Sequence, residues 1–355
     1  MYIALQCQTS SIAWGTTGVA KSAFFKAMAK ALGMKFFCFI PSQHMPEDIG
    51  GMPHLDLKRM IAEMIPMAWI KALAEAGWFL LIDELTTAAS AMRPALLTAL
   101  NERMVGEHKF HPSTIVCAAA NPPELAPNSS PLEPSMLNRC YHHRWVAPFE
   151  SWYRGMLNGC VFPEPTDIPV VGDYSAYLGK HARLVAMFCK AHPAMRETKV
   201  IPETELAFPS LRTWHNLAHC LAGAEKVGAS GDVMEELGSG LVGTAATEQF
   251  FTYVDRLDLK DADAIIDGRE SVDFSVDRID QLVYLPVAML EALRANSTGK
   301  RIDKACEVMI EMAEHDMLDL VMGPLGEISD MFPAYEIPRA LDRRYGKLLT
   351  QLGGA

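Results

Sequence analysis

Two clusters of residues in this chain have the types and spacing for chemistry on a phosphate. The first is Gly15-Thr16-Thr17-Gly18-Val19-Ala20-Lys21-Ser22. A glycine-bearing loop ending in Lys-Ser is the pattern of a phosphate-binding loop, whose backbone N–H groups and following helix N-terminus face the anion. Lys21 is then expected to reach the β- and γ-phosphates of a nucleotide, and the Ser22 hydroxyl to ligate Mg²⁺. One position departs from G-x-x-x-x-G-K-[ST]: Ala20 stands where the second glycine belongs. A Cβ there narrows the backbone geometry and crowds the phosphates, so weaker binding or slower hydrolysis is expected.

The second cluster is Asp83-Glu84, which ends the apolar run Trp78-Phe79-Leu80-Leu81-Ile82. Such a run reads as a strand buried on both faces, and open α/β sheets bind ligands beyond the carboxyl ends of their strands. A carboxylate there can hold Mg²⁺ through water, and its neighbour can activate an attacking water. A third apolar run, Thr114 to Ala120, ends in Asn121-Pro122-Pro123. An amide at that tip could orient the water, or Asn121 could simply open a turn before proline. Arg139 and Arg212 are candidate cations. The first would suit a helix C-terminus, whereas the second, in a first turn, is unfavourable unless an anion is near. His108 and His111 lie in a strand pattern that would not converge on a metal, so both read as surface residues.

The elements that must position these groups follow from periodicity. Ile12 to Trp14 read as a strand feeding the loop. Ala23 to Leu32 read as a helix, with Phe25, Met28 and Leu32 on one face and Gly33 as its stop. Lys35 to Ile40 form a second strand, closed by Pro41. Met45 to His54 is broken by proline and glycine. Leu57, Met60, Ile61 and Met64 then recur at a helical period over 55–64, and Met67 to Ala76 form another helix. Ser90 to Arg103 read as a helix, and Met104 to His111 as a hairpin around Gly106. Pro131 to Arg139 read as a loop and short helix, and Cys140 to Val146 as a strand in which one of His142 and His143 packs inward. Beyond Pro148 the alternation stops. Helices are expected over 153–157, 174–192, 211–227, much of 233–257, 278–295 and 302–321. An acidic irregular stretch falls at 258–273, and the last thirty residues are helical or frayed.

Composition bounds the remaining possibilities. The 355 residues are half hydrophobic and carry a net charge of −11. That suggests two to three domains and disfavours nucleic-acid binding, which needs clustered Lys and Arg. No apolar run approaches the ~18 residues of a membrane span, and no secretory signal is recognisable. Eight cysteines without a C-x-x-C pair fit a reduced, cytoplasmic protein. Twenty-one methionines more often fill cores than build a site.

The order of these parts resembles that of the AAA+ ATPases, and within them the MoxR family. The stretches that carry the likeness are the phosphate loop, Pro46-Glu47-Asp48-Ile49-Gly50-Gly51, Leu81-Ile82-Asp83-Glu84-Leu85-Thr86-Thr87-Ala88, Ala119-Ala120-Asn121-Pro122-Pro123 and Leu137-Asn138-Arg139. The likeness covers about residues 1 to 230. It implies an α/β fold: a P-loop AAA+ core with a central, mostly parallel sheet (1–148), an all-α lid (149–257) and a helical C-terminal extension (258–355). It implies ATP and Mg²⁺ as ligands, with Gly15 to Ser22 as Walker A, Asp83 and Glu84 as Walker B and Asn121 as sensor 1. Arg139 would be an arginine finger acting on a neighbouring copy, and Arg212 sensor 2. The family implies a self-assembled ring, usually hexameric, that remodels partner proteins, commonly one with a von Willebrand factor A domain. The stretch from Asp48 to His54 would match the family's second-helix insert, with Met52 and His54 facing the pore or substrate side. Two other functions compete: a nucleotide-dependent scaffold with little hydrolysis because of Ala20, and a nucleic-acid motor, which the charge disfavours. A GTPase switch lacks its Asn-Lys-x-Asp motif.

Overall fold

The computed structural model describes residues 1–122, 130–160, 168–198, 205–257, 261–274, 279–333 and 344. Pro123, residues 199–204, residues 258–260 and nearly all of the final twenty-two lie outside the described residues. Nine strands are described: β1 (Ser11–Trp14), β2 (Lys35–Phe39), β3 (Met52–Asp56), β4 (Ile61–Ile65), β5 (Trp78–Ile82), β6 (Met104–Val105), β7 (His108–Lys109), β8 (Ile115–Ala120) and β9 (Tyr141–Arg144). Five form a sheet in the order β2-β5-β8-β1-β9, with every neighbouring pair parallel. β3 with β4 and β6 with β7 are separate antiparallel hairpins. The fold is α/β, with a helical C-terminal part.

Alternation along the three central strands sends side chains into two cores. Ile12, Trp14, Leu80, Ile82, Val116, Ala118 and Ala120 face one, which is covered by Ile70, Leu73, Leu96 and Leu100. Ala13, Phe79, Leu81, Cys117 and Ala119 face the other, against Phe25, Met28 and Ala29 of the helix Lys21–Ala31. Burial on both faces is why these strands are continuous apolar runs. Gly33 ends that helix at φ +66, a conformation glycine adopts at little cost.

The chain forms two compact units. Met1–Tyr177 with Pro193–Glu248 make the first, which holds the sheet. Leu178–His192 with Gln249–Ala355 make the second, a helical unit whose core includes Ile265, Leu282, Met289, Leu293, Met309 and Met312. No described helix is long and apolar enough to cross a membrane.

The helix expected over 55–64 is instead the β3–β4 hairpin. Met52 pairs with Ile65 and Asp56 with Ile61. The Asp56 carboxylate accepts the N–H groups of Lys58 (2.9 Å) and Arg59 (3.2 Å), a local turn that competes with helix. Met60 then sits at φ +55. The apolar period at 57, 60, 61 and 64 is a coincidence of turn and strand residues, and it faces no core: Leu57 is 77% and Met60 84% exposed. Two smaller differences concern the helical parts. The acidic stretch at 258–273 contains the helix Ala262–Ile266, capped by Asp261, and the run expected as one helix at 302–321 is broken between Glu314 and Leu318.

Candidate functional site

Parallel register brings the tips of the strands to one rim. Trp14 lies level with Ala120 and Arg144, and Ile82 with Ala118. The residues that follow these strands, Gly15, Asp83, Asn121 and Trp145, therefore emerge together. Lys21, first residue of the helix Lys21–Ala31, folds back into this group. Its Nζ donates to the carbonyls of Gly15 (2.8 Å) and Thr16 (2.9 Å) and to Asn121 Oδ1 (2.8 Å). The Ser22 hydroxyl donates to Asp83 Oδ2. Lys21, Ser22, Asp83 and Asn121, spread over a hundred positions of sequence, thus form one connected cluster. Burial pushes the Lys21 ammonium below its ordinary pKa, while Asp83 and Glu84 pull it back up.

The loop itself is tight. The Gly15 N–H donates to the Ala120 carbonyl (3.1 Å), and a Cβ at Gly15 would come within 2.9 Å of the Trp145 carbonyl oxygen. Thr16, Thr17 and Gly18 are exposed and Val19 is half-buried. Ala20 caps the helix in the left-handed region, φ +61 and ψ 26, and offers no side-chain acceptor to the first-turn N–H groups. Those groups, with the helix dipole behind them, suit an anion. The hydroxyl of Ser22 and the carboxylate of Asp83 are hard oxygen donors of the kind Mg²⁺ takes. This donor set fits a magnesium–oligophosphate.

Glu84 follows at φ +55, its N–H donating to Asp83 Oδ1 (2.9 Å) and its carbonyl accepting the Thr87 hydroxyl (2.8 Å). Glu84 as a whole is half-buried, and its charge acts on the Lys21 ammonium. Thr86, fully buried, donates its hydroxyl to the Asn121 carbonyl (3.2 Å), which ties the turn after β5 to the tip of β8.

The two arginines are not drawn into this cluster. Arg139 is half-buried in the turn after the helix Pro134–Leu137, and Arg212 is exposed in the first turn of the helix Leu211–Lys226. Neither side chain makes a hydrogen bond or ion pair among the described residues. The segments that carry them are linked, however, through neighbouring side chains. Asn138 Oδ1 accepts the Ser210 hydroxyl (2.8 Å), and Ser210 caps the helix that carries Arg212 in a reciprocal box with Thr213. The Asn138 Nδ2 is buried without a partner among the described residues.

Four residues outside the motifs hold the site. His142 accepts the Trp14 indole N–H on Nδ1 (2.9 Å), so its proton sits on Nε2, which donates to the Leu137 carbonyl (2.8 Å). Burial drives the His142 pKa down to about 4, opposed by the Leu137 bond. Trp145 donates its indole N–H to the Val19 carbonyl (2.8 Å). Arg93, buried, holds the carbonyls of Ala88 (3.4 Å) and Pro131 (3.0 Å) and the Glu133 carboxylate (3.0 Å). Ser210 is the fourth. Sequence pattern alone gives no signal for the pairing of Trp145 with Val19 or of Ser210 with Asn138, because the first is set by sheet register and the second by where the helix Leu211–Lys226 begins; only the His142-His143 alternation pointed inward.

Residues 1–139 match the model of the family described as the MoxR domain in the MoxR-vWA-beta-propeller ternary systems. A search of curated proteins gives no match. Among solved structures, a "putative ATPase" from Cytophaga hutchinsonii aligns with a TM-score of 0.46 and 16% identity, over 68% of this chain and 78% of that one.

Proposed function

We propose that this chain, whose residues 1–139 match the MoxR-domain model, is a MoxR-type AAA+ ATPase that binds and hydrolyses ATP at the rim described above and uses the cycle to remodel a partner protein. The observation that carries this reading is the convergence of Lys21 on Asn121 and of Ser22 on Asp83. Phosphoryl transfer needs positioning and electrostatic stabilisation more than covalent chemistry, and the cluster supplies groups for both. Lys21 and the amides of the loop from Gly15 to Ser22 hold the phosphates. Ser22 and Asp83 are the residues that would hold Mg²⁺, which when bound neutralises charge on the phosphate oxygens. Glu84 takes the proton of the attacking water, Asn121 orients that water, and Arg212 contacts the γ-phosphate from the lid. Arg139 has no partner among the described residues of its own chain, which suits a finger offered to the next copy in a ring, usually hexameric in this family.

On this reading the functional parts are the nucleotide domain (1–148), the lid (149–257) and the extension (258–355). The exposed β3–β4 hairpin, with Met52 and His54 on its first strand, is the client-facing insert. The family description names a von Willebrand factor A protein and a β-propeller, and these are the partner classes we propose. The replacement of the second loop glycine by Ala20 supports one alternative, a scaffold that binds ATP and turns it over little. Phosphate release by the purified protein with Mg²⁺ and ATP tests both. Turnover abolished by Lys21→Ala is expected. Binding without turnover would select the scaffold, and no binding would overturn the nucleotide reading.

A further inference from the structure

Ala20 holds a backbone conformation that side-chain-bearing residues rarely adopt, at φ +61. The carbonyl that precedes it, Val19 O, accepts the Trp145 indole N–H at 2.8 Å. That oxygen belongs to the peptide plane joining Val19 to Ala20, and rotation of this plane about the N–Cα bond is the φ of Ala20. The indole is itself fixed at both ends of the loop. The Trp145 backbone N–H donates to the Trp14 carbonyl (2.6 Å), and its ring lies 4.7 Å from that of Phe24, in the first turn of the helix after the loop.

We propose that Trp145 is a positioning residue for the phosphate loop: its N–H···O=C bond to Val19 keeps Ala20 in the shape a glycine would take freely. The loop amides thereby keep an anion-ready arrangement although the second glycine is missing. The consequence for an oligophosphate rests on the function proposed above, but the conformational claim does not. Without the bond, the alanine should relax toward negative φ and the loop should become less ordered. Glycine at this position would have no such reason to move.

The test is a double-mutant cycle of Trp145→Phe and Ala20→Gly, read by amide hydrogen exchange over residues 15–22 and by the dissociation constant of magnesium with a fluorescent ATP analogue. In the Ala20 protein, Trp145→Phe should speed exchange of this segment several-fold, with the β5 and β8 peptides unchanged, and weaken nucleotide binding about fivefold, the size of one hydrogen bond. In the Ala20→Gly background the same substitution should change each by less than about twofold. Site-specific 3-benzothienylalanine at 145, which keeps the ring and removes only the N–H, should reproduce Trp145→Phe and guards against a folding defect. Equal exchange effects in both backgrounds, or parent-like exchange in the benzothienyl variant, would overturn the proposal. Coupled exchange in a protein that binds no nucleotide would sink the phosphate reading and leave the role of Trp145 standing.

Discussion

Acid should loosen the strut between the phosphate loop and the turn that carries Arg139, and His142 is where it should act. This imidazole bridges Trp14, the last residue before Gly15, and Leu137, two residues before Arg139. Its Nδ1 lone pair accepts the Trp14 N–H, so a proton placed there removes the bond and puts a charge in the core. The folded pKa lies at about 4, against 6.5 for the free side chain. Because the folded value is depressed, the unfolded chain binds the proton more readily between these two pH values. Stability from His142 is therefore full above pH 6.5 and lost as pH falls toward 4. Integrating the two titrations gives a loss of about 2 kcal/mol between pH 7.5 and pH 5, and about 3 kcal/mol at the acid limit. Urea unfolding followed by tryptophan fluorescence reads this cleanly, since all six tryptophans belong to the sheet-bearing unit. His142→Gln can accept from Trp14 and donate to Leu137 without titrating. The difference between parent and variant should grow by about 2 kcal/mol from pH 7.5 to pH 5. If the two proteins lose stability in parallel over that range, the tautomer and the strut are both misassigned.

Three further outcomes follow from the site. Glu84→Gln should retain the ATP analogue and lose most turnover, because proton acceptance and binding are separate tasks; undiminished phosphate release would remove Glu84 as the base. Arg139→Ala should lower turnover by about 10³-fold or more, as for fingers acting in trans, and mixing it with Lys21→Ala subunits should restore part of it. No recovery at any ratio would place Arg139 outside the neighbour's pocket. Ser210→Ala should cost about 1–2 kcal/mol, from the lost capping box together with the Asn138 bond. Asn138→Leu should cost less, since it also removes a buried Nδ2 that has no partner among the described residues. A larger loss for Asn138→Leu than for Ser210→Ala in chemical unfolding would contradict this accounting.

The central strands were legible because the sheet buries both faces, so Trp78 to Ile82 and Ile115 to Ala120 are apolar at every position rather than at alternate ones. That legibility extended to the rim: a residue that ends such a strand must emerge at the sheet's carboxyl edge, so Asp83 and Asn121 could be placed near Lys21 before any geometry was known. The β3–β4 hairpin was not legible, because its apolar residues answer to no core among the described residues. A periodic stripe predicts a helix only where something buries it, and the turn made by Asp56 and Met60 decided the local contest.

The residues that brace the site fail to show for a different reason. Trp145 lies 126 positions from Val19 and Ser210 lies 72 from Asn138, and neither spacing has a period to detect. Their roles depend on β9 lying level with β1 and on where the helix Leu211–Lys226 begins. Yet the sequence did mark where bracing was needed. Ala20 is a local violation of the phosphate-loop rule, and consistent sequences meet a violation with a constraint supplied from elsewhere. Such a departure is better treated as a place to search for a compensating contact than as a mark against the motif. At this loop the search leads to one indole N–H, directed at the carbonyl next to the offending residue.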